Sequence, residues 1–348
     1  NNAGNGSYDF NSTIEDLIID ASGNCYFTGF GYNPALGNRM WVTKVTANGS
    51  ISWSISDTTS SNVTTGYTIS FDQSGNPIVA GTRNESGCKV HVAKYNKTTG
   101  ALIWGKLHEF VAGQCESLAA IAADTIGNIY VCGDAYKDGT ARQNIYVLKL
   151  SSAGNQVWLK DYDGNSNNDY AKSIYVNKAG TIIYAAGYGY FGTTGYDWEI
   201  LKYDGSGNQQ WAKNIDGGSS TNDYLQALEV DNNGNAFAAG QQVVPAVGNI
   251  FSILKLNPAN GNTTATAQEG EPASTNYTID IAIDSANRVY ASYSDYDVMI
   301  ASRFSNGLVK QWSWYDVNNY CYGTSIAARN NGETFITGKN YYSTEPSK

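Results

Sequence analysis

The 348-residue sequence is short of charge, with Asp, Glu, Lys and Arg making up 15% of it. Long amphipathic helices need Glu, Lys and Arg on their solvent faces, so this shortage argues against a helical protein. Basic residues are the scarcer kind, 22 against 31 acidic, and no Lys/Arg cluster stands out. A formal charge of -9 without a basic patch offers no electrostatic grip on phosphate backbones, which excludes nucleic acid as the expected partner. No apolar run approaches the ~20 residues that a helix needs to cross a bilayer, so no transmembrane segment is expected. Histidine occurs twice, as His91 and His108, and these alone could serve as imidazole bases near neutral pH. Neither G-x-S-x-G, HExxH nor a P-loop is present, and the chain is not expected to be an enzyme. None of the five cysteines (Cys25, Cys88, Cys115, Cys132, Cys321) falls in a CxxC or zinc-like spacing, which removes sulfur-bound metal. The first residue is Asn rather than Met, as expected of a processed or trimmed chain.

What is abundant points to β-structure. The sequence holds 37 Gly, 26 Tyr and 8 Trp, and 41% of it is hydrophobic, a composition suited to turns and pleated sheets with a sizeable core. One phrase returns along it: "GNCYFTGF" at 23, "GNPIVAGT" at 75, "GNIYVCGD" at 127, "GNAFAAGQ" at 234 and "GETFITGK" at 332. Aligned on its first residue, seven copies start at Gly23, Gly75, Gly127, Gly180, Gly234, Ala286 and Gly332, in steps of 52, 52, 53, 54, 52 and 46. A second marker keeps the same period: Trp53, Trp104, Trp158, Trp211 and Trp312 end their units, while the fifth unit reads "NGNTTATA" instead. Even recurrence is the mark of a structural building block.

Within the third unit, "SLAAIAAD", "IYVCG", "NIYVLKLS" and "QVWLKDY" read as four short strands bounded by Gly, Asn, Asp and Ser, a four-stranded meander. Such a unit cannot bury both faces of its sheet alone, and seven around an axis can. The fold class is therefore all-β, a seven-bladed β-propeller of antiparallel meanders. The units span about 13–57, 62–108, 115–162, 169–216, 223–267, 276–316 and 321–348 of a single domain, 1–348. Asp20, Asp72, Asp124, Asp231 and Asp284 close the first strands and are placed to hydrogen-bond the turn backbone, with Gly and Asn supplying positive φ. Gly29, Gly81, Gly133, Gly187, Gly240 and Gly338, placed after the second strand, allow close backbone approach.

The unit "AKSIYVN … GTIIYAAG … DWEILKYDGSGNQQW" resembles the SBBP-type β-propeller repeat of secreted and surface proteins, and its strand order is similar to that of NHL repeats. The resemblance spans essentially the whole chain and implies a binding or scaffold module, secreted or surface-exposed, with no catalytic residue in the repeat. A partial second likeness lies in "KYNKTTGALIW" (94–104), which is similar to the tryptophan-docking motif of quinoprotein propellers and implies a degenerate quinoprotein-like enzyme as an alternative. The seventh unit supplies two strands before "KNYYSTEPSK". A trimmed chain, a short last blade, or an edge completed by a strand from another copy would each account for this. The last of these makes the chain a self-assembling subunit of a filament or surface layer and predicts a homo-polymer.

Meander geometry puts Cys88, between the second and third strands of unit two, on the same face as Cys115, which leads into unit three, so these two are expected to pair in an oxidising compartment. Cys25 and Cys132 read as small core residues. Sequons stand at Asn5, Asn11, Asn48, Asn62, Asn84, Asn96, Asn262 and Asn276, all in expected loops that could carry glycans. The loop "DYDGNSNND" offers Asp161, Asp163, Asn165, Asn167 and Asp169 at alternate positions, either to hold Ca²⁺ as a cofactor or as an ordinary turn. Its Gly falls at loop position 4 instead of the EF-hand's 6, and the related "NIDGGSSTND" and "NNAGNGSYDF" have fewer carboxylates. Finally, "GYGYFGTTGYDWE" (187–199) presents Tyr188, Tyr190 and Phe191 for stacking on a glycan or protein partner, while Tyr196 and Trp198 are expected to pack between blades.

Overall fold

The computed structural model describes residues 13–33, 35–57, 62–136, 142–218, 220–269, 279–295, 298–316, 321–329 and 331–340. Among these the alternating runs form 26 strands and no helix. The first sheet holds β1 to β4 (Thr13–Ile19, Cys25–Asn33, Gly37–Val45, Ile51–Ser56), and the second β5 to β8 (Thr64–Phe71, Pro77–Asn84, Cys88–Tyr95, Leu102–His108). The third holds β9 to β12 (Ala120–Ala123, Ile129–Tyr136, Gln143–Leu150, Gln156–Tyr162), and the fourth β13 to β16 (Asp169–Val176, Ile182–Tyr190, Tyr196–Asp204, Gln209–Ile215). The fifth contains β17 to β20 (Tyr224–Val230, Ala236–Val244, Gly248–Leu256, Thr263–Glu269), and the sixth β21 to β24 (Asp280–Ile283, Val289–Asp295, Val298–Phe304, Lys310–Asp316). Each of the six pairs its strands in chain order, and a seventh sheet joins β25 (Cys321–Ala328) to β26 (Thr334–Asn340).

The turn between first and second strands follows from three residue types. In the first sheet, Asp20 Oδ1 accepts the N–H groups of Ser22 and Asn24, both at 2.9 Å, and Oδ2 accepts Asn24 Nδ2 at 2.8 Å. Asp72, Asp124 and Asp231 repeat this arrangement. Asp284 does the same through Ala286 N and Arg288 N. The left-handed residue there is Asn287, at φ 60°, and not Ala286, so the sixth copy of the phrase starts one residue later than the alignment on Ala286 supposes. Asn is among the few non-glycine side chains that occupy this region readily.

The recurring glycines lie inside the second strands, Gly29 in β2 and Gly81 in β6, and not after them. Each faces a bulge in the first strand, between Ile14 and Asp16 or between Gly66 and Thr68. A Cβ at Gly29 would stand 1.9 Å from Thr13 O, and one at Gly81 1.7 Å from Thr65 O. The bulge brings backbone where a side chain would be, which is why glycine recurs.

The chain packs into two compact units, residues 1–183 with 203–208, and residues 184–202 with 209–348. In the first unit, one core joins Tyr26, Met40 and Val42 of the first sheet to Ile69, Val79 and Ala93 of the second. A neighbouring core joins Ile78, Ala80, Val90 and Val92 to Ile121, Val131 and Leu148 of the third. Strand β6 thus sends Val79 one way and Ile78 and Ala80 the other, so both faces are dry, as the period of two dictates. In the second unit, Phe237, Phe251 and Ile253 meet Ile281, Val289 and Ile300.

The Trp markers stitch sheet to sheet. Trp53, Trp104 and Trp158 in the first unit donate Nε1–H to Lys97 O, Ser152 O and Gly205 O at 3.2, 3.2 and 3.3 Å, each in the turn before the fourth strand of the next sheet. Trp211 in the second unit does the same to Pro258 O at 3.1 Å. The ring lies on the glycine of that turn: a Cβ at Gly154 would come within 2.8 Å of Trp104 Cζ3. In the fifth sheet Ala265 stands opposite Lys255, where Trp would be. The next turn there carries Leu308 in place of glycine, at φ 60°, and its buried side chain joins the core against which Ala265 packs.

Candidate functional site

His91, in β7, lies with Asp57 and Arg83 on the wall of a cavity of about 330 Å³, whose apolar side includes Ile55, Tyr95, Leu102 and Leu107. Arg83 Nη2 stands 2.9 Å from Asp57 Oδ2 and 3.4 Å from His91 Nε2, while His91 Nδ1 is 3.8 Å from the same carboxylate oxygen. Burial, reinforced by the Arg83 guanidinium and opposed by Asp57, depresses the imidazole from 6.5 to about 4. His91 is therefore neutral at pH 7, and the guanidinium facing Nε2 takes up the lone pair a general base would use. His108, at the end of β8, is also lowered by burial and by Lys106.

Cys88 and Cys115 pair as the meander implies, and Cys25, expected in the core, is not fully buried. Cys88 opens β7 and is disulfide-bonded to Cys115; Cys132 is a buried thiol in β10 and Cys25 a half-buried one in β2. Among the sequons, Asn48, Asn62, Asn96 and Asn262 lie between strands, whereas Asn84 is the last residue of β6, its N–H bonded to Val63 O at 3.0 Å. Asn84 therefore departs from the loop placement expected of it: the strand runs on until the hairpin reaches Cys88. Asn5, Asn11 and Asn276 lie outside the described residues.

The loop 161–169 is not drawn around one point. Asp161 Oδ2 accepts Asn144 Nδ2 at 2.8 Å, Asp163 Oδ1 accepts Ser166 N at 2.5 Å, and Asp169 Oδ2 accepts Gly164 N at 2.8 Å. Asn165 and Asn167 bond one another, through Asn167 Nδ2 and Asn165 O at 3.1 Å. Three carboxylates do converge one sheet later. Asp197 of β15, with Asp216 and Asp223 from the loop between β16 and β17, brings one carboxylate oxygen from each residue within 4.8 Å of the others. Burial raises the carboxyls of Asp197 and Asp223, the latter to about 6; the Asp216 charge adds to both. The loop "NIDGGSSTND" carries two of these acids, and the third comes from a strand on which Asp197 alternates with Tyr196 and Trp198, so the group does not show in the sequence of the loop.

Beside it stands a cluster of four tyrosines. Tyr188 lies edge-on to Tyr224 and Tyr196 at 5.0 and 5.5 Å, Tyr190 meets Tyr196 at 5.4 Å, and Tyr196 is 5.7 Å from Tyr224. Tyr190 is the most open of the four, at 38% exposure. A tight connection holds the rings together: Phe191 N–H donates to Gly195 O at 2.7 Å, and Tyr196 N–H to Asn222 Oδ1 at 3.1 Å. Tyr188 and Tyr190 both meet Tyr196, while the half-buried Phe191 ring joins no stack among the described residues. Trp198 packs fully buried, with Nε1 3.0 Å from Gln241 O of the fifth sheet. Tyr196 joins the surface cluster.

No family model matches the chain, and no curated protein does. Solved structures do. A structure described as the Dos1 propeller is similar over 95% of this chain and 79% of its own, at 10% identity and a TM-score of 0.62. Sqt1 of Chaetomium thermophilum, solved bound to the N-terminus of ribosomal protein L10, matches over 91% of this chain and 78% of its own, at 12% identity and a TM-score of 0.58. BamB from Moraxella catarrhalis matches over 94% and 86%, at 12% identity and a TM-score of 0.53. The fold is a β-propeller. Its repeats are the blades, six of four strands and a seventh with two among the described residues.

Proposed function

We propose that this propeller is a non-catalytic binding and structural module of the SBBP-type or NHL-like kind, working outside the cell or on its surface. Its partner-binding surface is the tyrosine cluster of β14, β15 and β17, and the class of partner is a glycan. The observation that carries this reading is the packing of Tyr188, Tyr190, Tyr196 and Tyr224 ring against ring, with Tyr190 open to solvent. Rings that hold one another lose little freedom on binding and offer flat apolar faces to the C–H faces of a sugar, with phenol hydroxyls at their rims. The Cys88–Cys115 disulfide supports an oxidising location. A glycan array probed with the wild type and with Tyr190→Ala tests this. Retention of a defined sugar class by the wild type, lost at least about tenfold in the variant, is expected for a ring stacked on the ligand. An array that stays blank, or one that Tyr190→Ala reads equally well, overturns it.

A further inference from the structure

Asp197, Asp216 and Asp223 place three acid side chains within 4.8 Å of one another. Among the described residues no ion pair engages any of them. Such a group repels itself unless protons or a cation intervene. A second observation points to a cation. Asp197 is 1% exposed and its Oδ2 accepts the Thr194 hydroxyl at 2.7 Å; the Asn214 amide of β16 also favours its charged form, while its Oδ1 is buried with no hydrogen bond of normal geometry. Buried carboxylate oxygens are almost always satisfied, and an orphan one beside two further carboxylates is the arrangement a metal ion completes.

The surroundings hold these oxygens in place. Gly217 N and Val243 N donate to Asp223 Oδ2 and Oδ1 at 2.5 and 2.6 Å, and Gly218 N to Asp216 Oδ1 at 2.8 Å. Each carboxylate oxygen keeps a second lone pair for a ligand bond. Gly217 carries no side chain at the point where Val243 O and both Asp223 oxygens converge: a Cβ there would lie 2.9 to 3.0 Å from all three. In the preceding blade the position of Asp197 is taken by Asn144, which donates to Asp161 at 2.8 Å. Asp197 and Asn214 exchange the roles of Asn144 and Asp161, which puts the carboxylate on β15, within reach of Asp216 and Asp223.

We propose that Asp197, Asp216 and Asp223 bind a divalent cation, Ca²⁺ in preference to Mg²⁺. Oxygen-only donors select hard cations, and an irregular set of carboxylates with a backbone carbonyl close by suits the flexible coordination of Ca²⁺ better than the strict octahedron of Mg²⁺. Asp216 is exposed, so the ion enters from solvent on its side, and water completes its shell. This site stands apart from the proposed function, and neither depends on the other.

The full chain, stripped with EDTA, is titrated with CaCl₂ by calorimetry and with Tb³⁺ by luminescence sensitised through Tyr196 and Tyr224. One saturable site per chain is expected, with a higher melting temperature in Ca²⁺. Asp216→Asn, on the open side and thus safe for folding, weakens binding at least about tenfold, because affinity in such sites follows the count of ligand charges. Asp197→Asn weakens it as much or more, and Asp163→Asn, in the equivalent loop one blade earlier, binds as the wild type does. Absence of saturation up to roughly 10 mM, beyond the weakest extracellular calcium modules, overturns the proposal. So does undiminished binding by Asp216→Asn, or an equal loss in Asp163→Asn.

Discussion

His91 shows how burial sets the behaviour of a single side chain. Its imidazole is held neutral in the fold, with a proton affinity lowered from 6.5 to about 4 by burial and by Arg83. As pH falls through 6.5 the unfolded chain takes up a proton that the folded chain refuses, so unfolding is favoured progressively down to about pH 4. Above 6.5 neither state is charged at this residue, and the contribution is fully present. The linkage is worth at most about 3 kcal/mol. Urea unfolding at pH 8 and at pH 4.5 is expected to show a steeper loss of stability for the wild type than for His91→Gln; parallel losses would refute the assignment. The histidine was visible in the sequence as one of two candidate bases. Its partners were not, since Asp57 comes from the connection after β4 of the first sheet and Arg83 from β6 of the second.

The joint between the fifth and sixth blades inverts the rule followed elsewhere. Tryptophan against a turn glycine gives way to Ala265 and Leu308, which share one core, a large ring and no side chain exchanged for a small side chain and a branched one. Leu308 keeps a left-handed backbone, φ 60°, that an L-residue adopts at a cost, and burying its side chain offsets that cost. Leu308→Gly is expected to relieve the backbone yet still destabilise by about 1–3 kcal/mol, because the contact beside Ala265 is lost. Ala265→Trp alone should also destabilise, by crowding Leu308. Combined, the two recreate the pairing of Trp104 with Gly154, and a double-mutant cycle read by chemical denaturation should give a favourable coupling of at least about 1 kcal/mol. Additive losses would show that the two positions do not compensate. The missing tryptophan was legible as a gap in "NGNTTATA", but its compensation was not, because the partner turn belongs to the next repeat.

At the scale of the molecule, a disulfide joins the second blade to the connection leading into the third. Cys88 and Cys115 are 27 residues apart, and closing a loop of that length removes about 3.5 kcal/mol of chain entropy from the unfolded state. Replacing both by Ser is expected to lower the melting temperature and to make unfolding insensitive to reductant. Alkylation without reductant should leave these two sulfurs unmodified in the intact mass. An unchanged melting temperature, or full alkylation, would contradict the bond. The pairing was deducible because a meander puts those two connections on one face, a property of topology and independent of any side chain.

Local chemistry accounts for the repeated part of this protein. The Asp, Gly and Asn of each turn, the glycine facing a bulge and the alternating core residues act within a few positions of one another, so the period, the strand order and the propeller could be read directly. Ala286 was misplaced by one residue only because Asn287 can do glycine's work at positive φ. The candidate sites lie beyond that reach. Asp197 meets Asp216 and Asp223, and Tyr188 meets Tyr224, through loops that join one sheet to the next. Such contacts depend on how sheets are apposed, and the sequence pattern of a single blade carries no record of that.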